Sequence, residues 1–265
     1  MTLHHSPRRS GVSRRLLLAC ALATTGLAAQ ADVLADVQKA RSIKIAIPTD
    51  FVPYGFVGAD LQPQGLDVDI AKYVAAKMGV KVELVPVTVS NRIPYLQTGK
   101  AHLVVSALGK NPDREKVIDF SSAYAPFYIG VFGPKTIAIK SPADLAGKTV
   151  AVTRGTTDDV ELTKVAPAGV EIRRFEGNDA TIAAYVSGQT QLLATGQPAA
   201  EAVASRAPVE IKFPLRMSPC YIGLPKGEDA LRTKVNEILA EGRKNGDLDK
   251  LSRKWLHQPM GDMPL

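Results

Sequence analysis

Val82-Glu83-Leu84 opens a stretch that runs through Asn91 and Leu96 to Gly99-Lys100-Ala101-His102-Leu103-Val104-Val105-Ser106. The chain repeats the plan later, from Val170-Glu171-Ile172 through Asn178 and Val186 to Gly188-Gln189-Thr190-Gln191-Leu192-Leu193-Ala194-Thr195. Each copy reads as a strand, a polar helix start, a helix, a glycine stop and a second strand. One βαβ module used twice predicts two similar lobes. The flanking sequence agrees. Ser42–Ile47 alternates as a first strand, and residues 69–78 carry apolar positions at helical spacing, with Asp67 or Asp69 as cap and Gly79 as stop. Residues 50–64, rich in Pro, Gly and aromatics, read as a loop. Strands alternating with helices make the class α/β with mostly parallel sheets.

Downstream, residues 120–132 are apolar and aromatic and are expected to cross from one lobe to the other. Thr149-Val150-Ala151-Val152 reads as a strand running into Gly155-Thr156-Thr157 and a helix near Asp158. The tail holds two helices, one with Leu231, Val235, Ile238 and Leu239 on one face, the other with Leu248, Leu251 and Trp255. The expected division is a leader over 1–31, lobe 1 over 32–128 plus 218–265, and lobe 2 over 129–217.

The leader accounts for much of the charge. The chain of 265 residues has 33 Lys+Arg against 26 Asp+Glu, a net +7. Arg8, Arg9, Arg14 and Arg15 lie in the first 31 positions without an acidic residue, followed by LLLACALATTGLAA and Ala29-Gln30-Ala31. A basic start, a short apolar run and small residues at an A-x-A site read as a secretory signal peptide. Ser13-Arg14-Arg15-Leu16 loosely resembles a twin-arginine motif, so the route is Sec or twin-arginine. Cleavage after Ala31 leaves 29 basic against 26 acidic residues, a net +3, and no basic stripe, which excludes the nucleic-acid reading. Cys220 alone would remain, so no internal disulfide is expected, and the exported product is read as a soluble monomer.

Motifs for catalysis are absent: no P-loop, GxSxG or GxGxxG occurs. His102 and His257, far apart and without Cys at ligand spacing, make neither a metal site nor a triad, and no cofactor is expected. Two features invite a ligand. Gly155-Thr156-Thr157 between a strand and a helix is either an anion site or a plain N-cap. Arg114, in Asn111-Pro112-Asp113-Arg114-Glu115-Lys116, either clamps a carboxylate or pairs with a nearby acid.

Gly65-Leu66-Asp67-Val68-Asp69-Ile70-Ala71 resembles the signature of the family 3 bacterial solute-binding proteins, the periplasmic receptors of polar amino-acid ABC transporters. The likeness continues through 92–100, Asn111-Pro112-Asp113-Arg114, Asp119-Phe120-Ser121, Gly147–Val152, Arg154-Gly155-Thr156-Thr157 and Lys254-Trp255-Leu256. The resemblance implies the two-lobed type II periplasmic-binding-protein fold, a periplasmic address and a membrane permease as partner. It implies that Arg114 binds the α-carboxylate of a small solute and that Thr157 closes on it from lobe 2, with Thr156 beside it. Ser106 and Gly109 match the first-lobe loop, and Phe51 an aromatic over the ligand. Arg154 and Asp158 flank the second-lobe loop, and Arg92 lies near the cleft.

One departure stands out. The acidic residue that receives the ligand's α-ammonium in the family falls here at Gly196 or Gln197. Burying an ammonium without a counter-charge is costly. The expectation is therefore a carboxylate lacking that group or carrying it elsewhere, or Asp50 as its replacement. Two rival readings are a dehydratase of cyclic carboxylates on the same fold, which needs an acid in the cleft, and a ligand-presenting sensor protein.

Overall fold

The computed structural model describes residues 1–4 and 32–263. The expected leader, from Arg8 to the A-x-A site, lies outside the described residues. Among the described residues no helix is long and apolar enough to cross a membrane.

Helix α1 (Val33–Ala40) starts where Asp32 accepts the Ala35 N–H, and it leads into β1 (Ser42–Ile47), whose Ile43, Ile45, Ala46 and Ile47 are buried. The expected loop 50–64 instead holds β2 (Asp50–Phe51), β3 (Gly55–Val57) and β4 (Pro63–Gln64), joined as a small antiparallel sheet. Strands this short leave no alternation to read.

Helix α2 (Leu66–Lys77) begins earlier than expected, with Gly65 as its N-cap. Gly65 has φ +125°, and a Cβ there would sit 2.3 Å from the Tyr54 carbonyl oxygen, so the chain can turn only on glycine. The capping role expected of Asp67 or Asp69 is corrected. Asp67 accepts from the Tyr124 hydroxyl at 2.6 Å and the Ala107 N–H at 2.8 Å. Asp69 accepts from Lys254 Nζ and Trp255 Nε1, both at 2.7 Å, tying α2 to the C-terminal tail.

The first module continues through β5 (Lys81–Pro86), α3 (Arg92–Gln97) and β6 (Leu103–Leu108). His102 is structural: its Nδ1 accepts the Lys44 N–H at 3.1 Å. After α4 (Pro112–Val117), β7 (Ile118–Ala125) runs to the end of the sheet, and the next strand, β8 (Tyr128–Gly133), belongs to a second sheet. That sheet holds the second module: β9 (Thr149–Thr153), α5 (Thr157–Val165), β10 (Glu171–Phe175), α6 (Asn178–Val186) and β11 (Leu192–Gly196). Helix α7 (Gln197–Val203) and β12 (Glu210–Met217) complete it. The chain then returns as β13 (Cys220–Pro225) and closes with α8 (Asp229–Lys244) and α9 (Asp247–Leu256).

The two five-stranded sheets have one plan. Their orders are β5-β1-β6-β13-β7 and β10-β9-β11-β8-β12. In each, the three module strands are parallel, and the remaining two pairings are antiparallel. The expectation of mostly parallel sheets is therefore corrected to mixed sheets. The reason is the connection. The module strands end where the sheets face each other, whereas β8 and β13 begin there, having just arrived from the other sheet. A strand that starts at the junction must run antiparallel to strands that finish at it.

The two passages are hydrogen-bonded to each other: Ser218 N–H donates to the Phe127 carbonyl at 2.7 Å, Cys220 pairs with Ala125, and Met217 pairs with Tyr128. Each sheet has apolar clusters on both faces. The largest packs α1, α2, α8 and α9 against the first sheet around Ile45, Ile70, Val105 and Leu239. The second sheet is covered by smaller clusters centred on Val150, Leu162 and Leu192 and on Tyr185 and Leu193.

Candidate functional site

Binding sites in open α/β sheets form beyond the carboxyl ends of parallel strands, where free backbone groups and helix N-termini gather. Both sheets turn those ends toward each other, and a cavity lies between them. Of the ten residues expected from the sequence, nine line it: Asp50 and Phe51 after β1, Arg92 on α3, Ser106 and Gly109 at the end of β6, Arg114 on α4, and Thr156, Thr157 and Asp158 at the start of α5. Arg154 does not. Its side chain is 56% exposed, pairs with Glu176 at 2.7 Å, and lines an adjoining cavity of about 290 Å³ that Arg92 and Arg114 also reach.

Arg114 is placed by α4, a short helix whose N-cap Asn111 accepts the Arg114 N–H at 2.9 Å. Among the described residues it makes no salt bridge, so the ion-pair reading is set aside. Its Nη1 donates to the Gly109 carbonyl at 2.6 Å and its Nη2 to the Gly155 carbonyl at 2.9 Å. Gly155 stands on the second sheet's side, so this guanidinium spans the cleft. Burial, and then the charge of Arg92, lower its pKa to about 9, which leaves it cationic at neutral pH. Arg92, also buried, donates from Nε to Val89 and from Nη1 to Ser106, holding the loop after β6.

That loop carries backbone strain. Ala107 sits at φ +41°, a conformation rare outside glycine, and its N–H is held by the Asp67 carboxylate. Gly109 then comes close to the opposite side. A Cβ added there would lie 2.4 Å from Thr157 Oγ1, so glycine lets the two halves meet.

Across the cleft, Thr156 is the N-cap of α5: its hydroxyl accepts the Asp159 N–H at 3.2 Å and donates to the Thr153 carbonyl at 2.8 Å. The N-cap reading thus holds for Thr156, and the helix start it caps lines the cavity through Thr156, Thr157 and Asp158. Asp158 is buried beside the two threonines. Burial raises its pKa to about 6, opposed in part by its own backbone N–H and the Thr156 hydroxyl and then by the charges of Arg92 and Arg114. Its Oδ1 has no hydrogen-bond partner among the described residues.

Asp50 has a different task. Its Oδ2 accepts the Asn178 N–H at 2.8 Å and its Oδ1 the Asn178 side-chain amide at 3.2 Å. Asn178 is the first residue of α6, so a carboxylate from β2 caps a helix of the opposite sheet. The Thr153 hydroxyl donates to Asn178 Oδ1 at 3.1 Å and lies 2.7 Å from the Thr181 hydroxyl. Asn178 and Phe127 also line the cavity, beyond the residues expected from the sequence. Asn178 was visible as part of the repeat and Phe127 as part of the crossing, but neither pattern reveals a contact made across the cleft. The Phe51 ring stacks on Tyr54 at 5.2 Å, and Phe127 tilts against both.

The void left between these groups is only about 20 Å³. The adjoining cavity, about 290 Å³, is lined from both halves by Arg92, Arg114, Arg154 and Gly155. Among the described residues no group of three His, Cys, Asp or Glu could hold a metal ion.

Comparison with known proteins adds a family. The sequence model of the bacterial extracellular solute-binding proteins, family 3, matches residues 43–258. The glutamine-binding protein GlnH of an ABC transporter from Bacillus subtilis (strain 168) is 27% identical over 86% of this chain and 85% of its own. The probable amino-acid-binding protein YxeM of the same strain is 30% identical over 73% and 76%. Among solved structures, the ancestral amino acid-binding protein AncCDT-1, a precursor of cyclohexadienyl dehydratase, is 34% identical, with a TM-score of 0.79 over 84% of this chain and 99% of its own. With most of its length matched and both lobes in place, this chain belongs to the family 3 bacterial extracellular solute-binding proteins.

Proposed function

We propose that the protein is the substrate-binding component of an amino-acid ABC transporter, capturing a small carboxylate-bearing solute by closure of two lobes and presenting the closed form to a membrane permease. The observation that carries this is the Arg114 guanidinium, donating to Gly109 in its own half and to Gly155 in the other. A ligand carboxylate takes over those donors and meets the start of α5 at the same time. Charge-assisted hydrogen bonds in a cleft that excludes water supply the energy. Ser106 and Gly109 offer the loop after β6, Thr157 its hydroxyl, and Phe51 an apolar wall.

In this reading the rigid bodies are residues 32–128 plus 218–265 and residues 129–217, hinged at the paired passages. Each lobe holds half a site, so ligand favours the closed form. The protein acts as a monomer, and its family's extracellular role agrees with delivery to the periplasm by an N-terminal leader.

A thermal-shift screen tests the reading, with the common amino acids and small organic acids as ligands. Ligand at 100 times its Kd adds about 2.7 kcal/mol, several degrees of melting temperature at this size. The expected result is a shift with one chemically related group of carboxylates. Turnover of prephenate or arogenate, the chemistry of a dehydratase, would contradict a purely binding role.

A further inference from the structure

Gly196, at the position of the family's acidic residue, is closed off by packing. A Cβ built on Gly196 would fall 2.3 Å from the Phe127 ring, so that ring occupies the place of any side chain there. Gln197 turns away and donates to Glu201 at 2.7 Å. The cavity itself is lined by two acids, Asp50 and Asp158, and two cations, Arg92 and Arg114. Asp50 is already engaged: both of its oxygens accept from Asn178. Asp158 is not. It is 8% exposed, and its Oδ1 lacks a hydrogen-bond partner among the described residues.

The nearby guanidinium groups do not fill that need, because Arg92 donates to Val89 and Ser106, and Arg114 to Gly109 and Gly155. A buried carboxylate oxygen without a donor is costly, and a donor brought by the solute removes the cost.

We propose that Asp158 receives the ligand's ammonium, so that the solute is a zwitterion whose cationic end is met by the first turn of α5 instead of by the end of β11. This rests on the carboxylate reading of Arg114 and Thr157. It replaces Asp50 as the stand-in for the missing acid, and it removes the reason to expect a ligand without an amino group. Asp158 follows Thr157 in the chain and shares one small cavity with Arg114, so the ammonium and carboxylate of the solute lie close together, as in an amino acid.

The test pairs each amino acid that shifts the melting temperature of the protein with its deaminated analogue, and measures both by calorimetry on wild type and on Asp158→Asn. Wild type is expected to prefer the amino acid by thirtyfold or more. In Asp158→Asn the preference is expected to fall to within a few-fold, with affinity for the deaminated analogue changed less than about threefold. Where Asp158→Asn does not melt cooperatively, Asp158→Ser takes its place. A wild type that binds the deaminated acids equally well overturns the inference and leaves the carboxylate reading standing. A variant that keeps the full preference also overturns it, because the ammonium is then read elsewhere. Binding of no carboxylate in either series removes the carboxylate reading, and the inference with it.

Discussion

The two sheets share an order and a module, yet they bring opposite things to the cleft. After its third strand, the first module makes a strained loop at Ser106–Gly109 and then places Arg114 on α4. After its third strand, the second module runs straight into α7, with Pro198 in the first turn and the Phe127 ring over Gly196. After its first strand the relation reverses. The first module inserts the small sheet that carries Asp50 and Phe51, while the second turns at once into the α5 start with Thr156, Thr157 and Asp158. One half supplies two guanidinium groups and a carboxylate already engaged by Asn178, and the other supplies a helix start and a carboxylate oxygen without a partner among the described residues. The lesson is that a duplicated scaffold fixes where a site lies, and the loops that differ between the copies decide which charges it reads.

That asymmetry is tested first at Arg114. Arg114→Ala is expected to lose about 2–5 kcal/mol of binding, read by calorimetry. Near-unchanged affinity would take the cation of lobe 1 out of the site. A second test aims at the crowded end of β11. Gly196→Ala forces a methyl group against the Phe127 ring and is expected to cost about 1–3 kcal/mol of stability. Phe127→Ala in the same chain should recover part of that cost in a double-mutant cycle. Additive losses would mean the ring does not occupy that space.

The third test is Asp67, which holds the strained Ala107. Asp67→Asn leaves one of its two donors facing an amide N–H and is expected to cost about 1–3 kcal/mol. It should also change the pH profile. Burial raises the Asp67 pKa from 3.8 to about 7, so between those values the folded chain keeps a proton that the unfolded chain has lost. The resulting stability is present at low pH and fades as pH rises through 7. Asp158, raised to about 6, acts in the same direction, while His102, lowered by burial, acts in the opposite one. Denaturant melts from pH 5 to 8 should show a flatter profile in Asp67→Asn than in wild type, and parallel profiles would exclude Asp67 as the titrating group.

The smallest effect belongs to Asp50. Asp50→Ala removes the cap that one lobe places on α6 of the other and should shift the open–closed balance by about 1 kcal/mol. A larger radius of gyration in scattering without ligand checks it, and an unchanged radius would deny the latch.

Much of this fold was legible because it is periodic. The alternation at Ser42–Ile47 and the repeated modules lead to both sheets, and the apolar face of residues 231–239 leads to α8. The strands that were not read lack that period. β12 contains Pro214 and register shifts at Ile211/Phe213 and Pro214/Arg216, and β13 has further shifts beside Gly223. A bulge breaks the alternation on which a reading depends. At the site, Arg114 and Thr157 could be found as residues, since each sits in a local motif. The partners of the acids could not. Asp67 looks like a cap, but it bonds Tyr124 and Ala107, 57 and 40 positions away. Asp50 looks available for a ligand, but it is taken by Asn178, 128 positions away. Only the closed fold distinguishes an engaged carboxylate from an unpartnered one.

One ligand carboxylate, held between Arg114 and the α5 start, is expected to draw the lobes together. Small-angle scattering of wild type and Arg114→Ala, with and without a ligand found in the thermal screen, tests it most directly. Wild type is expected to become more compact at saturating ligand, and Arg114→Ala to stay unchanged at the same concentration. A wild type that binds ligand by calorimetry without becoming more compact would exclude closure as the binding step, and an Arg114→Ala variant that closes to the same extent at that concentration would exclude Arg114 as its cause.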